Sequence, residues 1–402
     1  MLTRRQFLNT SFQSTSILSL ASSIPCFLTR SLQAAENKNH GRILVVIELS
    51  GGNDGLNTVV PFNDENYQKH RNTLHITKEK VLKLNSEIGL HPAMTGAAQL
   101  VEDGRLAIVQ GVGYPNPNRS HFESMGIWQS AQSNPKAHGG YGWLGRALDQ
   151  NSKQVHTFAD AICLGNVDPP QALRGRQSIQ STIRSLAELQ LDSHTPSSET
   201  KPDESTTDDL LQYVRRRSID ARATAARITK LKNASITKTR YPQNGLANRL
   251  KGIARLIRAD LEPRVYYTVQ AGYDTHINQE FDHYRRLSEF SGALSAFLND
   301  LRDSQLDDRV LVLVFSEFGR RVAENDSQGT DHGTAGPVFL AGPSVKAGLH
   351  GATPDLADLV DGDLKMTIDF RRVYATVLSK WLDINPQTCL QGNFAAMDLM
   401  NS

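Results

Sequence analysis

The sequence predicts an α/β fold, a mostly parallel central sheet sandwiched by helices and carrying a helical insertion. Two observations lead there. Short apolar runs rich in β-branched residues recur at Ile43–Leu49, Leu106–Gln110, Ala159–Leu164, Val265–Gln270, Val310–Phe315 and Val338–Ala341. They are nearly continuous rather than alternating, as strands buried on both faces are. Between them lie helical patterns, the clearest with Phe281, Tyr284, Leu287, Leu294, Phe297 and Leu301 on one apolar stripe. Strands alternating with helices give a sheet with helices on both faces.

Thr3-Arg4-Arg5-Gln6-Phe7-Leu8-Asn9, a weakly apolar stretch from Ser11 to Leu28 and the small residues at Ala34-Ala35 read as a twin-arginine export signal over residues 1–35. Serines and Pro25 interrupt the apolar stretch, which argues against a permanent membrane span. The expected location is periplasmic or secreted, with the export machinery as a partner. Residues 36–402 then form the folded domain.

Composition excludes some classes. Lys and Arg number 44 against 42 Asp and Glu, so no overall charge points to nucleic acid. The chain has no CxxC, which removes a cysteine zinc site, and Cys163 and Cys389 fit either one disulfide or two buried thiols. Residues 193–209, SHTPSSETKPDESTTDD, are too polar to order themselves. They predict a mobile loop within a helical insertion over about 170–255, placed as a cap over the cleft.

Ligands of open α/β sheets bind beyond the carboxyl ends of the strands, and there the polar residues collect. Asp54 follows the first strand in a Gly-rich turn, although Asn53-Asp54-Gly55 is also a turn signal by itself. Arg119, Ser120 and His121 follow the second. Asp274 and His276 follow the strand at 265–270, and Glu317, Arg320, Arg321, Asp331 and His332 follow the strand at 310–315. Carboxylates and imidazoles suit a divalent metal such as zinc, manganese, magnesium or calcium. Arg119, Arg320 and Arg321 offer planar forks to an anion. Ser120 has two readings, a metal-activated nucleophile or the cap of a capping box with Glu123.

The stretches ELSGGNDGLNTVVP, NRSHFESMGIWQSA, GYDTHINQ, FSEFGRR and DHGTAGPVFLAG together resemble a widespread, uncharacterised group of exported bacterial proteins, domain of unknown function 1501. That group is distantly similar to the alkaline phosphatase and sulfatase superfamily. The resemblance implies metal ligands at Asp54, Asp274, His276, Glu317, Asp331 and His332, and Ser120 or a metal-bound water as nucleophile. Phe318 stands where many members of the superfamily have a metal-binding histidine, and no Cys/Ser-x-Pro-x-Arg sequence surrounds Ser120. The function implied is an exported metal-dependent hydrolase of a phosphate or sulfate ester, small or polysaccharide-linked. The alternative is a non-catalytic binding or assembly protein with a degenerate site.

Overall fold

The computed structural model describes residues 41–135, 137–150, 159–165, 168–184, 237–261 and 263–401. The export signal at 1–35 and the polar segment 193–209 lie outside them. The strands, in chain order, are β1 Ile43–Ser50, β2 Val59–Val60, β3 Leu82–Lys83, β4 Gly89–Leu90, β5 Leu106–Gly113, β6 Ala161–Leu164, β7 Gln180–Ile183, β8 Val265–Ala271, β9 Val310–Phe315, β10 Gly336–Ala341, β11 Gly348–His350 and β12 Ile368–Asp369. The helices are α1 Glu65–His70, α2 Thr95–Glu102, α3 His121–Ser130, α4 Trp143–Gln150, α5 Gly245–Arg258, α6 Gln279–Asp303, α7 Phe370–Thr376 and α8 Pro386–Leu390.

Nine strands form one sheet in the order β11-β5-β10-β9-β1-β8-β6-β7, with β12 also on β5. Every pairing is parallel except those of β10 with β5 and β9. The fold is therefore mixed and mostly parallel. The carboxyl ends of β1, β5, β8 and β9 open on one edge, and the chain enters β10 from that same edge. A separate three-stranded sheet, β2-β4-β3, completes the described strands.

Continuous apolar strands divide their side chains between two cores. In β1, Ile43, Val45, Ile47 and Leu49 enter the layer built with α2, α5 and α6. Leu44 and Val46 enter the opposite layer, with α3, α4, α7 and α8. β9 splits in the same way, Val310, Val312 and Val314 against Leu311, Leu313 and Phe315. This two-sided burial explains why neither strand alternates in sequence.

Two expectations change, and one open alternative is decided. The insertion at 170–255 is narrower, because β7 pairs with β6 in the main sheet and α5 buries Leu246, Leu250, Ile253 and Ile257 in its core. An apolar stripe at helical spacing carries α5 into the sheet layer rather than into a cap. The stripe of α6 begins only at Leu287, which is buried, while Phe281 and Tyr284 are exposed. Cys163 and Cys389 are both free and buried.

One buried acid makes stability depend on pH. Glu48 of β1 accepts hydrogen bonds from the Tyr267 hydroxyl and, at 2.8 Å, from the Gln129 side-chain amide of α3. Burial raises its pKa from the ordinary 4.5 to about 7, against the lowering effect of those two donors. The protonated acid is the form the fold favours. Its contribution is complete below pH 4.5 and is lost as pH rises through 7, by roughly 3 kcal/mol at most. Thermal melts of Glu48→Gln will therefore fall less than the wild type between pH 5 and pH 8; parallel curves would show that Glu48 is not the group responsible.

Candidate metal centre

The loops leaving β5, β8 and β9 bring three imidazoles onto one carboxylate. Asp274 Oδ1 lies 3.4 Å from His121 Nε2, 2.9 Å from His276 Nε2 and 3.1 Å from His332 Nε2. His276 Nε2 and His332 Nε2 are 2.9 Å apart. The potential ligand atoms of His121, Asp274 and His332 all fall within 4.8 Å of one another.

The outer nitrogens determine what the inner ones can do. His121 Nδ1 lies 2.8 Å from Glu317 Oε1, His276 Nδ1 3.2 Å from Asp331 Oδ1, and His332 Nδ1 2.7 Å from the carbonyl oxygen of Arg119. A carboxylate and a carbonyl accept hydrogen bonds and cannot donate them. An imidazole whose Nδ1 donates to such an acceptor has its Nε2 available to present a lone pair to an ion on the Asp274 side. The Arg320 guanidinium lies at one side of this group, 2.6 Å from Asp274 Oδ1 and 3.4 Å from His276 Nε2, and a metal ion would satisfy the remaining nitrogens together with the carboxylate. Oxygen or carboxylate partners behind metal-bound imidazoles are the usual arrangement of such centres.

Two observations test the fit of a metal. The Nε2 of His121 is buried and has no hydrogen-bond partner. A tetrahedron with bonds of about 2.0–2.1 Å separates its ligands by about 3.3 Å, close to the 2.9–3.4 Å found around Asp274 Oδ1. The donors fit.

Burial acts to raise the Asp274 carboxyl, but hydrogen bonds from Arg320 and His332 outweigh it and hold the group far below the usual carboxylate range. The His121 pKa is raised, chiefly by its hydrogen bond to Glu317. The aromatic ring of Phe318 packs against both His121 and His332, at 4.9 Å between centroids in each case. It braces the rings it cannot replace as a ligand. Gly52 sits at φ +74°, which favours glycine, and a Cβ there would also run into the Phe318 ring.

Several residues expected in the site stand elsewhere. Asp54 is fully buried, and its carboxylate takes hydrogen bonds from Arg71 at 2.6 and 3.0 Å and from Gln279 at 2.5 Å. Burial alone would raise its pKa, yet the Arg71 charge and hydrogen bonds hold it at about 2. It is half of a buried ion pair and does not join the cluster. Glu317 and Asp331 stand behind His121 and His276, orienting rings rather than meeting at the centre.

The three arginines are also committed. Arg320 is buried and donates to the carbonyls of Gly51, Gly52, Tyr273 and Thr330 and to Asp274 at 2.6 Å. Arg119 and Arg321 share Asp363. None offers an open fork to an anion. Ser120 is exposed at the N-cap of α3 with no side-chain capping hydrogen bond, so the capping box is not made. Its backbone N–H donates to Asn118 Oδ1 at 2.7 Å.

Residues 42–392 match a family described as a protein of unknown function, DUF1501. The chain belongs to DUF1501. No curated protein matches it. Among solved structures, this DUF1501 chain is similar to the C-terminal periplasmic domain of EcEptC from Escherichia coli in complex with Zn, at 10% identity and a TM-score of 0.38 over 75% of this chain and 72% of that one. It is also similar to the PsFucS1 sulfatase from Pseudoalteromonas sp., at 10% and 0.41 over 92% and 73%. A third is a protein in the alkaline phosphatase superfamily from Vibrio parahaemolyticus, at 9% and 0.35 over 82% and 68%. None of these likenesses bears on substrate or reaction. No helix among the described residues is long and apolar enough to cross a membrane.

His121 was not legible as a ligand from the sequence. It adjoins Ser120 in a stretch that reads fully as a helix start. The available signal was an imidazole directly after a strand-end loop, opening a helix, on the edge where Asp274 and His332 also emerge.

Proposed function

We propose that the protein is an exported metal-dependent hydrolase of a phosphate or sulfate ester. The observation that carries this reading is the set of His121, His276 and His332 Nε2 atoms facing Asp274 Oδ1, each with its Nδ1 held from behind. His121, Asp274 and His332 hold the ion, and His276 Nε2 flanks them, 2.9 Å from Asp274 Oδ1 and 2.9 Å from His332 Nε2. Three imidazoles and one carboxylate favour a borderline ion, zinc before magnesium or calcium. When bound, the ion supplies the Lewis acidity and positive charge that the committed arginines do not.

The remaining roles fall to residues of this chain. Glu317, Asp331 and the Arg119 carbonyl fix the three rings. Arg320 holds Asp274 ionised and ties the β1, β8 and β9 loops together. Ser120, with a hydroxyl unspent on capping and adjoining His121 in sequence, is the proposed nucleophile. The donors keep 23–48% of their side-chain surface exposed, so a substrate can reach them. The net reaction adds water across a P–O or S–O bond and releases phosphate or sulfate and an alcohol. Arg4-Arg5 and the following residues support export.

A second reading, a structural site, draws on His276 beside the three-ligand set, because a fourth protein ligand closes a metal site to substrate. A panel of 4-nitrophenyl phosphate, phosphodiester and sulfate separates the two. The hydrolase reading expects turnover that falls by about 10²-fold or more in Ser120→Ala and stops with a chelator. A metal-loaded wild type inert to the whole panel, with a melting temperature that drops on chelation, favours the structural reading.

A further inference from the structure

Beside the metal centre lies a pocket of about 750 Å³, whose lining includes the β5–α3 loop, Val360 and Met366. That volume is ample for a small-molecule group. The pocket adjoins the centre through Arg119, which lines it and whose carbonyl holds His332. Thr334 and Ala335, just after His332, line it as well.

Its charges cancel. The charged lining residues are Arg119 and Lys365 against Asp361 and Asp363. Arg119 is bound by Asp363, and Lys365 by Asp358. No cation there is left to recruit a second anionic group. Pro115, Pro117, Val360 and Met366 instead give the pocket apolar walls.

Apolar side chains are also exposed next in sequence to two of the imidazoles. The large hydrophobic residues exposed among those described are Phe122 at 77%, Ile277 at 64%, Phe281 at 74%, Tyr284 at 50% and Val360 at 53%. Phe122 directly follows His121, Ile277 directly follows His276, and Val360 lines the pocket.

We infer that the substrate is an ester of an uncharged, largely apolar alcohol, and that this alcohol part occupies the pocket at the β5–α3 loop. A polyanion bearing several sulfate or phosphate groups finds no free positive charge there. This rests on the hydrolase reading for the ester, while the pocket's preference can be measured without turnover.

The probes are octyl glucoside below its micelle concentration and dextran sulfate, followed by saturation-transfer NMR on the full-length wild type and Val360→Asp. Val360 is half exposed, so the substitution leaves folding intact, yet it sets a carboxylate beside the alkyl chain. Octyl glucoside should bind the wild type, lose about tenfold in affinity in the variant (~1.4 kcal/mol), and not be displaced by dextran sulfate. Displacement by dextran sulfate, equal binding to both proteins, or no binding at all would overturn the inference. In the same preparation, ester turnover without octyl glucoside binding defeats only this inference. Binding without turnover of octyl phosphate or octyl sulfate defeats only the hydrolase reading.

Discussion

Arg71→Met will destabilise the protein by ~3–5 kcal/mol, the cost of leaving one partner of a buried ion pair uncompensated. Arg71 and Asp54 are both fully buried, with their charged atoms 2.6 Å apart. Arg71 also donates through Nε to the Val322 carbonyl at 2.6 Å and through Nη2 to the Arg321 carbonyl at 2.9 Å. The pair therefore fastens the turn after β1 to the loop after β9. Removing the guanidinium strands a carboxylate with Gln279 as its remaining side-chain donor. Asp54→Ala will be comparably damaging, since it strands the cation instead. The double variant Arg71→Met, Asp54→Leu should recover most of the loss, because an apolar pair of suitable volume can replace a buried ion pair. Urea denaturation of the single and double variants checks this. Single variants within 1 kcal/mol of the wild type would show that the pair contributes little.

This changes what a substitution at Asp54 tests. Read as a metal ligand, Asp54→Ala would abolish metal binding and leave the fold intact. In the structure the same change removes a buried counter-ion, so lost activity in that variant would report unfolding. The informative positions are Asp274 and His332, which are partly exposed and converge on the centre. Asp274→Ala removes the oxygen on which all three Nε2 atoms converge, and is expected to reduce turnover by 10³-fold or more if the ion supplies the charge stabilisation proposed. His332→Ala removes a nitrogen donor and is expected to act in the same direction. Circular dichroism on His332→Ala should remain like that of the wild type, whereas Asp274→Ala also deprives the buried Arg320 of its carboxylate partner and is read beside Asp274→Asn, which keeps an oxygen for that arginine.

The sequence placed the main strands well because burial on both faces leaves a local signature: nearly continuous apolar runs at 43–49, 106–110, 265–270 and 310–315. It was less informative for β7, β11 and β12, which are short and carried by pairing with neighbours rather than by composition. Asp274, His276 and His332 were legible as site residues because each follows a strong strand. The role of Asp54 was not, since its partner Arg71 is a side chain 17 residues away with no pattern linking the two. Glu317 was legible as a site acid but not as the residue behind His121, because that contact joins positions 196 residues apart. Distant pairing decides which carboxylate faces the centre and which faces a neighbour.

Metal content tests the central claim most directly. Protein purified without chelators and measured by elemental analysis should carry about one equivalent of a divalent ion, zinc foremost. Asp274→Ala and His332→Ala should carry far less, while Val360→Asp matches the wild type. Wild-type protein that stays metal-free after incubation with zinc or manganese, or ligand variants that retain a full equivalent, would contradict the account.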